Sequence, residues 1–196
     1  FDDVTRPFEV EELRRRVERA MEKVERSREV ERLKEGVGRK YGVELESARL
    51  WGRMPRAFLV LTLFYRALDR RGSPLEPALR ALVQVRISQI NWCAFCVDLN
   101  GAAALERAVA PEKLAALAHH ETSPLYTERE RAALAFAEAL TDPARRVDDA
   151  CFARLRAHFD EQAVLELSAL AAFQNLSSKF NAALGLPAQG FCARAG

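Results

Sequence analysis

Charged residues of both signs crowd positions 9–35 around a thin apolar stripe: Val10, Leu13, Val17, Ala20 and Val24, resumed at Val30 and Leu33. Spacings of three and four are helical. A stripe this narrow buries little area alone, so it predicts a charged helical arm lying on the main body or on another subunit. Gly36, Gly38 and Gly42 then punctuate the chain. Residues 57–68 are apolar on every side apart from Thr62 and Arg66, which predicts a helix buried all round. Residues 70–74 read as a turn. Helix restarts near Ser73 or Glu76, because Pro77 could not donate within a helix already under way. Leu79, Leu82, Val83, Ile87 and Ile90 form its apolar face. Asn91-Trp92 interrupts it, a further helix runs over roughly 93–109, and Pro111 opens another.

Later segments follow the same grammar. Thr127 with Glu130 makes a capping box ahead of residues 132–140. Asp148 caps a helix carrying Cys151, Phe152 and Leu155. Asp160 caps a long final helix through Leu184, closed by Gly185 and Pro187. Period-two alternation is missing, so the fold class expected is all-α: a helical bundle with a charged N-terminal arm. The organisation expected is an arm over 1–46, a compact helical domain over 47–186 and a tail over 187–196.

Composition narrows the function classes. The 196 residues carry 30 basic and 28 acidic side chains. A net charge of +2 exerts no global pull toward nucleic acid or an anionic membrane. The longest apolar stretch, 57–65, falls well short of the roughly 20 residues a membrane-spanning helix needs. No secretory leader pattern opens the chain. The four cysteines, Cys93, Cys96, Cys151 and Cys192, lack the density of a secreted disulfide scaffold. A cytoplasmic protein, with neither nucleic acid nor membrane as partner, is expected.

In that setting Cys93-Ala94-Phe95-Cys96 draws the chemistry. Two cysteines three apart at a helix start share a face, close enough to form a disulfide. Unpaired N–H groups at the helix N-terminus favour the thiolate. A redox dithiol, a metal site and inert buried thiols all remain open readings. Zinc wants four ligands, and His119, His120, Cys151 and Cys192 show no telling spacing to complete a set. Trp92 and Phe95 are expected to give the sulfurs an apolar surround. Asp98 reads as a first-turn acid serving the helix dipole, His119-His120 as a surface pair at a helix end, and His158 as a loop or packing residue. Cys151 and Cys192 lack reactive neighbours, and Cys192 falls in an exposed Gly-containing tail. No phosphate-binding glycine loop is present, so no nucleotide, flavin or metal cofactor is expected.

The run from Arg80 through Gln84, Ser88 and Asn91 to Trp92-Cys93-Ala94-Phe95-Cys96 resembles the core of the AhpD-like alkylhydroperoxidases, within the carboxymuconolactone decarboxylase superfamily. Arg53-Met54-Pro55, Leu125 to Glu130, and Leu167 to Leu184 with Asn175 are similar too, so the likeness covers roughly residues 47–184. The resemblance implies an all-α protein forming trimers or hexamers that reduces organic hydroperoxides. Cys96 would then be the peroxidatic and Cys93 the resolving cysteine. An external dithiol, thioredoxin-like or a lipoyl-type carrier, would be the reductant. Active members have a glutamate twelve residues before the first cysteine and a histidine four after the second. This chain has Ala81 and Asn100, neither of which titrates usefully. Two other functions remain: a lyase like the carboxymuconolactone decarboxylases, which generally lack the cysteine pair, and a redox-sensing or binding protein that lost peroxidase turnover.

Overall fold

The computed structural model describes Gly42, Val43 and residues 45–195. The charged arm expected over 1–46 lies outside the described residues except at Gly42, Val43, Leu45 and Glu46. The chain divides into two compact units, one reaching Phe64 and one from Tyr65 onward. Among the described residues nine α-helices and one 3₁₀ turn follow one another without a strand. None of these helices is long and apolar enough to cross a membrane.

The first unit holds α1 (Glu46–Trp51) and most of α2 (Pro55–Leu68). Phe58 and Leu68 are buried on α2, but Val60 and Leu63 are more than half exposed. The expectation of a helix buried on every face is therefore corrected. Apolar residues on all sides need cover on all sides, and among the described residues the face with Val60 and Leu63 is not covered.

In the second unit, α3 (Pro77–Ile90) is the central element, packed on α4 (Ala94–Glu106), α6 (Glu128–Thr141) and α8 (Glu161–Ala183). The short α5 (Pro111–Ala115) leads into the 3₁₀ turn Leu117–His119. Helix α7 (Asp149–Arg156) lies on α6, and α9 (Phe191–Ala195) lies on α4. Nine of the fourteen residues of α3 are buried, so its polar members, Arg80, Gln84 and Ser88, must find partners inside.

The expected caps are in place. Thr127 and Glu130 complete the capping box of α6. The carboxylates of Asp148 and Asp160 accept the N–H groups of Cys151 (2.8 Å) and Ala163 (2.7 Å). Each such cap is worth about 1 kcal/mol. Beyond Gly185 the chain does not remain a loose tail: it forms α9, with Phe191 buried.

Candidate active site

The link between α3 and α4 places the cysteines. Helix α3 ends in a Schellman arrangement: Trp92 N–H donates to Gln89 O (3.1 Å) and Cys93 N–H to Ser88 O (3.0 Å). That closure needs a left-handed residue, and here Trp92 takes it at φ +54°. Only glycine adopts this conformation freely, and a side chain there costs about 1 kcal/mol. The turn points the indole outward, leaving Trp92 90% exposed. The expected apolar wall from Trp92 is thus corrected. Phe95 is buried as expected, edge-on to Phe191 at 6.0 Å.

The same turn makes Cys93 the N-cap of α4. Its Sγ accepts the N–H of Cys96 at 3.2 Å. Both cysteines are buried, at 1% and 3% exposure. The hydrogen bond from the Cys96 thiol, with the Cys96 N–H beside it, holds Cys93 below the ordinary thiol range despite its burial. Cys96 moves the other way. Sharing its proton in a hydrogen bond to Cys93 and being buried push its thiol far up, and the Asn181 amide, donating from Nδ2 to Cys96 Sγ at 3.2 Å, pulls it back. The two sulfurs are thus set apart, Cys93 shifted toward the thiolate and Cys96 toward the thiol.

Around the sulfurs lies an uncharged network. Ser88 Oγ donates to Gln84 O (2.6 Å) and accepts from Asn100 Nδ2 (3.1 Å) and Gln174 Nε2 (3.0 Å). Asn91 Nδ2 donates to Asn175 Oδ1 (2.9 Å) and Ser178 Oγ (2.8 Å), and Asn175 Nδ2 to Thr141 Oγ1 (2.9 Å). Asn100 is thus a structural amide, while Ala81 is core. Gln174, Ser178 and Asn181 share one face of α8 at spacings of four and three. Sequence reasoning missed Gln84, Ser88, Gln174 and Asn181. Their signal was that stripe of buried-capable polar residues in an otherwise apolar helix, facing an equally apolar helix with Gln84 and Ser88 four apart.

The remaining candidates lie elsewhere. His120 is not a surface residue: it is 1% exposed, with Nε2 3.1 Å from Glu138 Oε1, while His119 and His158 are exposed. Glu138 also pairs with Arg86 (2.5 Å) and Arg145 (2.5 Å). Burial opposes its ionisation, but His120 and Arg86 outweigh it and hold the carboxyl at about 2. Asp98 does more than serve a dipole. Its carboxylate accepts the N–H groups of Gln189 (2.8 Å), Phe191 (3.0 Å) and Cys192 (2.9 Å), strapping α9 to the cysteine-bearing helix. Cys192 is half-buried rather than exposed, its Sγ donating to Asp98 O at 3.1 Å. A Cβ on Gly101 would lie 2.6 Å from that sulfur, so the close approach requires glycine. Cys151 is half-buried and pushed up by burial and by Asp148. Among the described residues no group of three His, Cys, Asp or Glu side chains is placed to hold a metal ion.

Comparison with known proteins agrees with this architecture. Residues 55–139 match the model of the carboxymuconolactone decarboxylase family. The uncharacterized protein YnjA of Escherichia coli K12 is 47% identical over 154 residues, 79% of this chain and 85% of YnjA. An AhpD-core, peroxidase-related protein from Ralstonia eutropha JMP134 superposes with a TM-score of 0.74 at 23% identity, covering 84% of this chain and 87% of its own. The debrominase Bmp8 superposes with a TM-score of 0.75 at 23% identity, covering 85% and 89%. A variant of Bmp8 with one cysteine replaced by alanine has been solved in complex with 2,3,4-tribromopyrrole. At these identities the two solved structures speak for the fold.

Proposed function

Because the chain belongs to the carboxymuconolactone decarboxylase family, as an AhpD-like member, we propose that it is a thiol-dependent oxidoreductase that reduces organic hydroperoxides through the Cys93–Cys96 dithiol. The observation that carries this reading is the N-cap geometry: a buried Cys93 sulfur at the start of α4 that accepts the Cys96 N–H at 3.2 Å. A thiolate is the nucleophile toward a peroxide oxygen, and this one is stabilised without help from an acid–base side chain. The resemblance assigned attack to Cys96. The lowered Cys93 thiol, with the Cys96 N–H donating to its sulfur, favours Cys93 as the attacking sulfur and Cys96 as the one that closes the disulfide. An external dithiol in the cytoplasm then restores the pair by exchange. Exposed Val60 and Leu63 on α2, and exposed Leu165, Leu176 and Leu184 on and just past α8, support a homo-oligomer, for which the family resemblance implies three or six subunits.

The debrominase fold supports a second reading, in which the soft Cys93 thiolate acts on a carbon–bromine compound. The absence of a titrating residue at Ala81 and Asn100 favours it, since a proton relay is a peroxidase feature. Reduced protein is assayed with cumene hydroperoxide and excess dithiothreitol, and separately with 2,3,4-tribromopyrrole and bromide release as the readout. Hydroperoxide consumption that Cys93→Ser abolishes is the expected result, a loss of about a thousandfold or more. Bromide release with no hydroperoxide turnover would replace the first reading with the second.

A further inference from the structure

We propose that Asn181 anchors the substrate: its side-chain carbonyl accepts a hydrogen bond from an O–H or N–H that the substrate carries beside its reacting atom. This deepens the reading above, since it rests on the dithiol being where the substrate reacts, and it holds whichever of the two sulfurs attacks.

The observation is an unmet acceptor beside a sulfur. Asn181 is 2% exposed, and its Nδ2 donates to Cys96 Sγ at 3.2 Å. Its Oδ1 is buried and accepts no hydrogen bond. The polar residues before it on the same face of α8 are met from within the protein. Gln174 donates from Nε2 to Ser88 Oγ (3.0 Å) and accepts Gln84 Nε2 at Oε1 (3.4 Å). Ser178 Oγ donates to Gln174 O (2.6 Å) and accepts Asn91 Nδ2 (2.8 Å). An acceptor shut away from water and left unmet is costly, and buried side-chain oxygens nearly always have a partner. Among the described residues two other side chains bury a polar atom without a partner, His120 at Nδ1 and Arg129 at Nη1. His120 is engaged with Glu138, and Arg129 lies over the Phe159 ring, whereas Asn181 is bonded to a cysteine.

The free oxygen lies where a substrate must come. The two ends of an amide are about 2.2 Å apart, so Oδ1 is within about 5.4 Å of the Cys96 sulfur. A group donating to Oδ1 can therefore hold its neighbouring atom at the roughly 3–3.5 Å from a sulfur at which bonds begin to form. The acceptor is also fixed in place. Nδ2 is tied to the sulfur, and Asn181 O accepts the N–H of Leu186 (3.1 Å) in the turn that closes α8 at Gly185 (φ +65°). Little ordering is left for the ligand to supply.

The chemistry of the acceptor names the substrate class. A neutral amide oxygen suits a neutral donor, and the uncharged network around the sulfurs offers no counter-charge to an ionised one. An organic hydroperoxide qualifies through the O–H of its terminal oxygen. A dialkyl peroxide, which has no O–H, does not.

The test uses two unreactive probes that differ by one donor: cumyl alcohol, which carries the O–H, and cumyl methyl ether, which lacks it. Their affinities for the reduced protein are measured by ligand-observed NMR, so turnover is not required. The native chain is expected to bind the alcohol about tenfold more tightly than the ether, and Asn181→Leu to bind the two alike. Asn181→Asp keeps an acceptor oxygen while losing the amide donor to Cys96, so the preference for the alcohol should survive in it. Lost packing would weaken both probes together and leave the preference intact, which separates anchoring from structural support. With cumene hydroperoxide as substrate, Asn181→Leu should raise KM about tenfold with a smaller fall in kcat. A native chain that binds the probes equally, or binds neither, overturns the anchor whether or not the variants fold, and so does a preference that persists in Asn181→Leu. A native chain that prefers the alcohol but forms no Cys93–Cys96 disulfide with cumene hydroperoxide overturns the hydroperoxide reading and leaves the anchor standing.

Discussion

Two polar clusters are buried in the same helical body, and α3 contributes to each. One contains Gln84 and Ser88 with Asn91, Asn100, Gln174 and Ser178, beside the two cysteines, and none of these side chains but the thiols ionises. The other joins Arg86 of α3 to Glu138 of α6, with Arg145 and His120 on the same carboxylate. Neutral hydrogen bonds orient without imposing a field, so the ionisation of the sulfurs is left to each other and to Asn181. A charged cluster ties helices together, because removing the buried Glu138 carboxylate strands the Arg86 guanidinium beside it. The histidine and the acid that a thiol relay would use are present in this chain, but they are engaged with each other.

The sharpest way to break this contrast is Glu138→Ala. It leaves the partly buried Arg86 without its anion and His120 without its partner, so a loss of about 3–5 kcal/mol is expected, lowering Tm by roughly 10 °C or more in a chain of this size. Turnover per folded molecule should be unchanged. A variant of native Tm and lost turnover would move the charged cluster into the catalytic machinery.

Acid titration sharpens the same contrast with a smaller effect. The Glu138 carboxyl is held at about 2, below its ordinary value of 4.5. Its contribution is therefore complete above pH 4.5 and is lost as pH falls toward 2, a change of about 3 kcal/mol. Thermal melts from pH 6 to pH 2.5 should show this decline, and Glu138→Gln should flatten it.

The smallest effect is expected at the junction. Trp92→Gly relieves a left-handed side chain and should raise stability by about 0.5–1 kcal/mol, read as a Tm higher by a few degrees. A lowered Tm would mean that the exposed indole is held by contacts beyond this chain.

Features encoded within a few residues were legible in the sequence. The caps at Thr127, Asp148 and Asp160, the proline start at Pro77 and the cysteine pair at a helix start all follow from local chemistry, and each is where the periodicity puts it. What escaped depends on partners far along the chain. Asn181 meets Cys96 across 85 residues, Asp98 meets the tail across more than 90, and His120 is buried because Glu138 comes to it from the next helix. A histidine at a helix end looks solvated until its partner is known. Trp92 escaped for another reason: its left-handed turn is normally the mark of glycine, and no propensity points to tryptophan there.

That indole also has an optical consequence. The chain has two tryptophans, Trp51 and Trp92, and Trp92 stands in water beside the cysteine that leads the dithiol. Disulfides quench a nearby excited indole by accepting its electron, whereas a thiol–thiolate pair is a much poorer acceptor. The junction that aims Cys93 into the protein and Trp92 out of it therefore places a fluorophore next to the redox centre. With Trp51 replaced by phenylalanine to remove the background, the emission of the unlabelled protein becomes a readout of whether its sulfurs are joined.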